Sequence, residues 1–219
     1  KHIDFIQTAL TSKFSSISLI SSEMEKTVIP YLIDHGAKEA LLKTLKIILN
    51  YKTDKDSSFS FLDFKSIIED YWLSEILQKN GDKIIGICGI SLAELLMDIM
   101  KDILQKDKNS FSYAVIHTIE DSDQNFLEDN YQLQLVRFLR RTLENLKPPT
   151  QEHMLQDFLK SESSIFKRIS IHVVSYFYLE YNQLFWQWEG NPLEEYVLKH
   201  EIYQLILLNK KKISNAEVD

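Results

Sequence analysis

The sequence predicts an all-α fold, an α-solenoid of degenerate HEAT- or TPR-like helix pairs. Three observations predict it. Glycine (5) and proline (4) are scarce in a chain of 219 residues, far below the usual combined share of roughly 12 %. Sheet-rich folds need glycine at turns and close approaches. Apolar residues recur at helical spacing in segment after segment, and no convincing stretch alternates with period 2. Helices of about 10–20 residues joined by short loops then suggest a bundle or a solenoid, and the segments fall into loose pairs of roughly 35–45 residues.

Taken in order, His2–Phe14 places Ile3, Ile6 and Leu10 on one face. Ser21–Leu32 follows, with Ser22 and Glu25 spaced as a capping box, and Gly36 is its C-cap. Ala37–Tyr51 carries Leu41, Leu45, Ile48 and Leu49 on a stripe. Residues 53–58 read as a loop. Asp63–Gln78 is the next helix, stopped by Asn80-Gly81. Asp82–Gln105 is long, apolar and therefore central, and 106–110 is a loop and a candidate sub-boundary. Phe111–Glu120 is a short apolar helix. Tyr131–Leu146 carries Leu135, Val136, Leu139, Leu143 and Leu146, and Pro148-Pro149 ends it. Gln151–Lys160 follows with Thr150 as N-cap. Ser164–Leu179 is apolar and aromatic, and Asn191-Pro192 opens the last helix, to Asn209. Residues 1–209 thus form one helical-repeat segment, with 210–219 a charged tail. A chain opening on Lys1 in helical-looking sequence reads as a piece of a longer protein.

Net charge is −7, which argues against a dedicated nucleic-acid binder, because phosphate contacts need a basic face. It suits protein partners. Cys88 stands alone, so no internal disulfide forms and a reducing, cytoplasmic setting is expected. Its apolar neighbours mark it as a buried, inert thiol. No apolar run approaches the length of a membrane span.

Candidate chemistry is thin. Gly81-Asp82-Lys83-Ile84-Ile85-Gly86 starts like a phosphate loop, but Ile87 and Cys88 stand where Lys and Ser/Thr are required. Gly89-Ile90-Ser91-Leu92-Ala93 resembles a nucleophile elbow with Ala in the last place, which needs a strand before it and a helix after it. The competing reading is a small-residue patch on a continuous helix. The six histidines show no zinc spacing, so no metal and no cofactor is expected in this segment. The aromatic cluster 176–188 reads mainly as core, with Tyr178, Tyr181 and Trp188 as candidates for an exposed protein-binding surface.

The densest polar stretch follows an apolar run: Ala114-Val115-Ile116-His117-Thr118-Ile119-Glu120-Asp121-Ser122-Asp123-Gln124-Asn125. Crowded carboxylates there could form an active site, yet Asp121, Ser122, Asp123 and Asn125 are also good turn and capping residues.

A resemblance resolves the choice. Ile119-Glu120-Asp121 with Gln124-Asn125, then Leu139-Arg140, then Ile165-Phe166-Lys167-Arg168-Ile169-Ser170-Ile171-His172, then His200-Glu201-Ile202-Tyr203 are similar to runs found in the same order in the C-terminal helical-repeat region of bacterial antiviral STAND NTPases of the Avs type. Those runs read I-E-D-H-x-Q-N, L-R-D, I-F-R-R-I-A-L-H and H-E-Y-Y-x-L-L. The match spans about residues 110–208. Ser122, Arg141 and Ser170 depart from it, standing where His, Asp and Ala are usual. The resemblance implies a non-enzymatic recognition or scaffold segment. The full-length protein would carry an NTPase using ATP and magnesium and an effector such as a nuclease. It would bind a phage terminase or portal protein and oligomerise on activation. A purely structural scaffold and a serine hydrolase using Ser91 are the alternatives. In this reading Glu120 and Asp121 are a structural clamp between helices, pairing with Arg137, Arg140 or Arg168.

Overall fold

The computed structural model describes residue 8 and residues 17–54, 63–112, 116–120, 130–188 and 194–213. These are mostly helical, with one two-stranded sheet among the described residues. No described helix is long and apolar enough to cross a membrane. The chain divides into two compact units, Lys1–Ser110 with Leu127–Thr142, and Phe111–Phe126 with Leu143–Asp219.

In the first unit, α1 (Ile17–Glu23) runs through a π-helical stretch, Met24–Val28, into α2 (Ile29–Asp34). The helix therefore begins before Ser22, and no Ser22–Glu25 capping box forms. Glu25 is buried instead and pairs with Lys79 Nζ at 2.9 Å. Gly36, at φ 57°, ends α2 as expected. The N–H groups of Gly36 and Ala37 reach back to the carbonyls of Ile33 and Leu32, a Schellman closure. The helix expected over 2–14 lies outside the described residues except at position 8.

α3 (Lys38–Ile48) buries Leu41, Leu45 and Ile48 at helical spacing. A hairpin follows that the sequence did not announce: β1 (Tyr51–Asp54) pairs antiparallel with β2 (Asp63–Ser66), Tyr51 opposite Ser66 and Thr53 opposite Phe64. Each strand is four residues long, too short for a period of 2 to show. Phe64 is buried, and Ser66 Oγ donates to the carbonyl of Ile48 at 3.3 Å.

α4 (Asp70–Cys88) runs through Asn80-Gly81 rather than stopping there. The reason lies in the fold. A Cβ at Gly81 would stand 3.0 Å from Arg141 Nη1 and 3.4 Å from the Phe138 ring. Arg141 lies on α6 (Tyr131–Asn145) and pairs with Asp82 at 2.6 Å. Gly81 lies inside the helix against the Arg141 guanidinium and is not a terminator. The break comes at Gly89, whose φ of 56° and ψ of −135° suit glycine alone, and α5 (Ile90–Lys106) starts after it. The long helix expected over 82–105 is thus two. α6 buries Leu135, Val136 and Leu139 as its stripe predicts, and the Tyr131 hydroxyl donates to the carbonyl of Leu49.

In the second unit, Gln151 rather than Thr150 precedes α7 (Glu152–Leu159). Its buried amide donates to the carbonyls of Leu143 and Leu146, each at 3.3 Å, closing the C-terminal end of α6. α8 (Ser164–Tyr176) stops at Phe177 (φ −106°, ψ 47°), and α9 (Tyr178–Trp186) begins there. A 3-10 turn, Tyr196–Leu198, leads into α10 (Lys199–Asn209). Positions 191–192, expected to open the last helix, lie outside the described residues. α8 is buried almost all round and packs on α7, α9 and α10. Phe158 stacks near Phe166, with ring centroids 4.7 Å apart, and Ser170 Oγ donates to the carbonyl of Leu155. α7 and α8 therefore run antiparallel. Arg168 meets Glu201, and about two turns on Ser175 meets Asn209. α8 and α10 therefore run parallel, 33–34 residues apart in sequence.

Gly89→Ala should destabilise the chain by about 1–3 kcal/mol, read as a lower urea midpoint; an unchanged midpoint would contradict the strain assigned to this corner. Cys88 is buried, and burial pushes its thiol up to about 11 against a lesser opposing pull from Lys38. At pH 8 the folded chain should react with a disulfide reagent only at its opening rate, and the urea-unfolded chain within mixing time.

Candidate functional site

Residues 116–120 are neither helix nor strand, although the sequence predicts a short helix ending there. Irregular backbone leaves carbonyls without ladder partners, and burial then demands side-chain donors. Ile116, Thr118 and Ile119 are buried. Arg168 supplies the donors. Its side chain is wholly buried on α8, where Nη1 donates to the carbonyl of Ile116 at 2.6 Å and Nη2 to that of His117 at 2.8 Å. Its charge is met by Glu201 of α10: Nε and Nη2 both donate to Oε1, at 3.0 and 2.9 Å. One guanidinium thus ties the segment to two helices.

Two imidazole–carboxylate pairs flank this centre. His200 Nε2 stands 2.8 Å from Glu120 Oε1, and His172 Nε2 stands 2.7 Å from Glu144 Oε1. Both are part-buried. Asn209 Nδ2 donates to the carbonyl and hydroxyl of Ser175, holding the far ends of α8 and α10 together. Between these groups lies a cavity of about 60 Å³, walled by Ile119 and Glu120, by His172 and Tyr176 of α8, and by His200 and Glu201 of α10.

Glu120 and Arg168, two members of the expected clamp, each tie residues 116–120 to a helix, though not to each other. Glu120 does tie the segment to a helix, but to His200 rather than to an arginine. Arg168 does act as a clamp, but on backbone carbonyls and on Glu201. Asp121 lies outside the described residues. Arg137 and Arg140 lie on α6, in the first unit; Arg140 is buried. Glu201 and His200 belonged to a quoted run without being named as site residues. Their spacing on one helix turn, next to an apolar i,i+4 pair of Leu198 and Ile202, was the signal for an inward-facing polar pair.

The aromatic candidates need correction. Tyr178 and Tyr181 are 0 % and 2 % exposed, and so belong to the core and not to a binding surface. Tyr178 Oη accepts from Trp186 Nε1 at 2.8 Å. Burial pushes Tyr181 up to about 12, helped by Glu152 and Glu180. The break at Phe177 explains the error: it rotates the face that a continuous helix to Leu179 would have presented. Trp188 is half-buried beside a groove of about 770 Å³, with Lys167 Nζ 5.5 Å from its ring centre; Lys167 also pairs with Glu195 at 2.6 Å. Among the described residues of the second unit the exposed large apolar side chains are instead Tyr176, Leu179 and Tyr196, together with Tyr203, Ile206, Leu207 and Leu208 of α10. α10 is apolar on its outer as well as its inner face.

Ser91 is the second residue of α5 and follows helix α4 across Gly89. An elbow needs a strand at that place. The alternative of one continuous helix is equally corrected by the break. Among the described residues no group of three His, Cys, Asp or Glu could hold a metal ion.

Arg168→Met should cost about 3–5 kcal/mol, because it strands the Glu201 carboxylate in the interior. Adding Glu201→Leu should restore part of that loss. A double variant no more stable than the single one in urea titrations would show that Glu201 is not the partner Arg168 neutralises.

No family model, no curated protein and no solved structure matches this chain.

Proposed function

We propose that this chain is a recognition and scaffold segment of an α-solenoid, working in the cytoplasm by binding another protein rather than by catalysis. The observation that carries the proposal is the stacking of α8 and α10. They run parallel at a separation of 33–34 residues, with α7 antiparallel to α8. Helical-repeat proteins stack in this way, each unit burying its face on the next. α10 then presents Tyr203, Ile206, Leu207 and Leu208 outward, a strip that is exposed in this chain. Aromatic and aliphatic side chains grouped on an outer face are the usual substrate of protein docking.

The resemblance to Avs-type STAND NTPases supplies the biological setting. The runs that carry it place Glu120, Arg168, His172, His200 and Glu201 around one centre. Such convergence suits a packing signature shared by a repeat family. The proposed role is then the phage-sensing arm of an antiphage NTPase. Its partner is a terminase or portal protein, and binding promotes ATP- and magnesium-dependent oligomerisation and effector activation in the full-length protein. A purely structural role, as repeats that hold other domains apart, is the second reading, favoured by the same stacking.

The test is a titration of purified phage terminase and portal proteins against the chain with its natural flanking sequence, by calorimetry. One of them should bind, and Tyr203→Glu with Leu207→Glu should weaken binding at least about tenfold with an unchanged helical circular dichroism signal. Absence of binding by a folded chain would move the reading to the structural one.

A further inference from the structure

The charges at the two ends of the α10 strip select what can cover it. Lys199, Tyr203, Ile206, Leu207 and Lys210 are all exposed. At the pitch of an α-helix they fall within an arc of about 100°. The backbone stays helical at Lys210 (φ −48°, ψ −28°), so the arc is continuous. The strip is an apolar centre with an ammonium in line at each end, roughly 16 Å apart along the axis. Lys211, also exposed, adds charge at the C-terminal end. Glu201, the one carboxylate in the α10 sequence, is buried against Arg168. In a chain of net charge −7, this face is cationic.

The helix itself explains only half of that pattern. Its dipole favours cations after the last turn and disfavours them in the first. Lys210 and Lys211 fit this rule. Lys199 is the first residue of α10 and opposes it. Among the described residues no carboxylate pairs with Lys199; its Nζ stands 5.2 Å from the ring centre of Tyr196, itself 74 % exposed. A carboxylate brought by a partner would supply the missing counter-charge.

The pattern also discriminates among occupants. In a second copy, antiparallel pairing sets Lys199 of one chain against Lys210 of the other, and parallel pairing sets each lysine against its counterpart. Like charges meet in both directions, which opposes self-association. A helix lying on a bilayer keeps its lysines on a polar face, where they reach the headgroups. Here the lysines lie in line with the apolar side chains, so a flat surface that buries Tyr203 and Leu207 also presses both ammoniums toward hydrocarbon. The fit that remains is an apolar helix face with a carboxylate at each end.

We propose that the outer strip of α10 docks a helix of a different protein, one whose apolar stripe is flanked by Asp or Glu about three turns apart, so that the carboxylates meet Lys199 and Lys210. The proposal rests on the reading of α10 as a docking strip and names the chemistry of its partner.

The chain itself supplies the probe. A copy with Lys199→Glu, Lys210→Glu and Lys211→Glu keeps the apolar strip and carries acids at both ends. In sedimentation velocity, an equimolar mixture of this variant with the native chain should associate at least about tenfold more tightly than either protein alone. High salt should erase the gain. Adding Tyr203→Glu and Leu207→Glu to the variant should abolish it. If circular dichroism shows the triple variant unfolded, Lys199→Glu alone serves. A carboxylate there suits the helix dipole, and antiparallel pairing then sets it against Lys210 of the other copy. That variant should self-associate about tenfold more tightly than the native chain. A mixture no tighter than its components, or a gain that survives Tyr203→Glu with Leu207→Glu, would overturn the proposal. Binding of the native chain to phosphatidylserine–phosphatidylcholine vesicles, lost with the same two substitutions, would also overturn it and assign the strip to a membrane. A null mixture together with terminase or portal binding would keep the docking strip and remove only the acid-ended partner.

Discussion

A buried cation, Arg168, organises the second unit. Arg168 has no exposed surface and sits on the most enclosed helix, so every one of its bonds is made within the protein. A guanidinium in that position is tolerable only if its charge is met and its donors are directed to acceptors. Glu201 meets the charge, and the carbonyls of Ile116 and His117 accept from the fork. Three pieces of chain distant in sequence must therefore be placed together before the cation can be buried. Arginine suits this better than lysine, because its planar fork addresses a carboxylate and two carbonyls from fixed directions.

Smaller polar contacts extend the constraint along the same helices. His172 with Glu144 and Ser170 with the Leu155 carbonyl hold α8 to its preceding neighbours, and Asn209 with Ser175 holds it to α10. Apolar side chains fill the rest: Ile165, Ile169, Val173 and Ile202, Leu205 are all buried. Hydrophobic burial drives the helices together without direction, and the polar contacts select one register. The Oε2 of Glu201, buried without a hydrogen-bond donor, is the place where that selection leaves a demand unmet.

Much of the fold was legible because it is written in periodicity. The stripe Leu41, Leu45, Ile48 announced α3, and Leu135, Val136, Leu139 announced α6. Gly36 announced a helix end. Where legibility failed, the deciding information was not local. Asn80-Gly81 looks like a stop because glycine destabilises helices, yet the helix continues through it, with the Arg141 guanidinium packed against Gly81. Gly89 looks like part of a helix because its neighbours are apolar on both sides, yet it takes a backbone conformation open to glycine. Tyr178 and Tyr181 looked amphipathic and available, but the turn at Phe177 directs them inward. The hairpin β1–β2 was hidden by its length.

The sequence by itself determined the helical class and the buried, lone Cys88, and it singled out Glu120 and Arg168 among the polar residues of the second unit. It did so because spacing, composition and residue chemistry are local properties. Only the tertiary structure decided who pairs with whom. Glu120 could have met Arg137, Arg140 or Arg168, and instead meets His200, because α10 runs parallel to α8 and brings His200 and Glu201 to residues 116–120. Partner choice depends on which helix lies beside which, and helix adjacency is fixed by the burial of whole faces, which no single segment records.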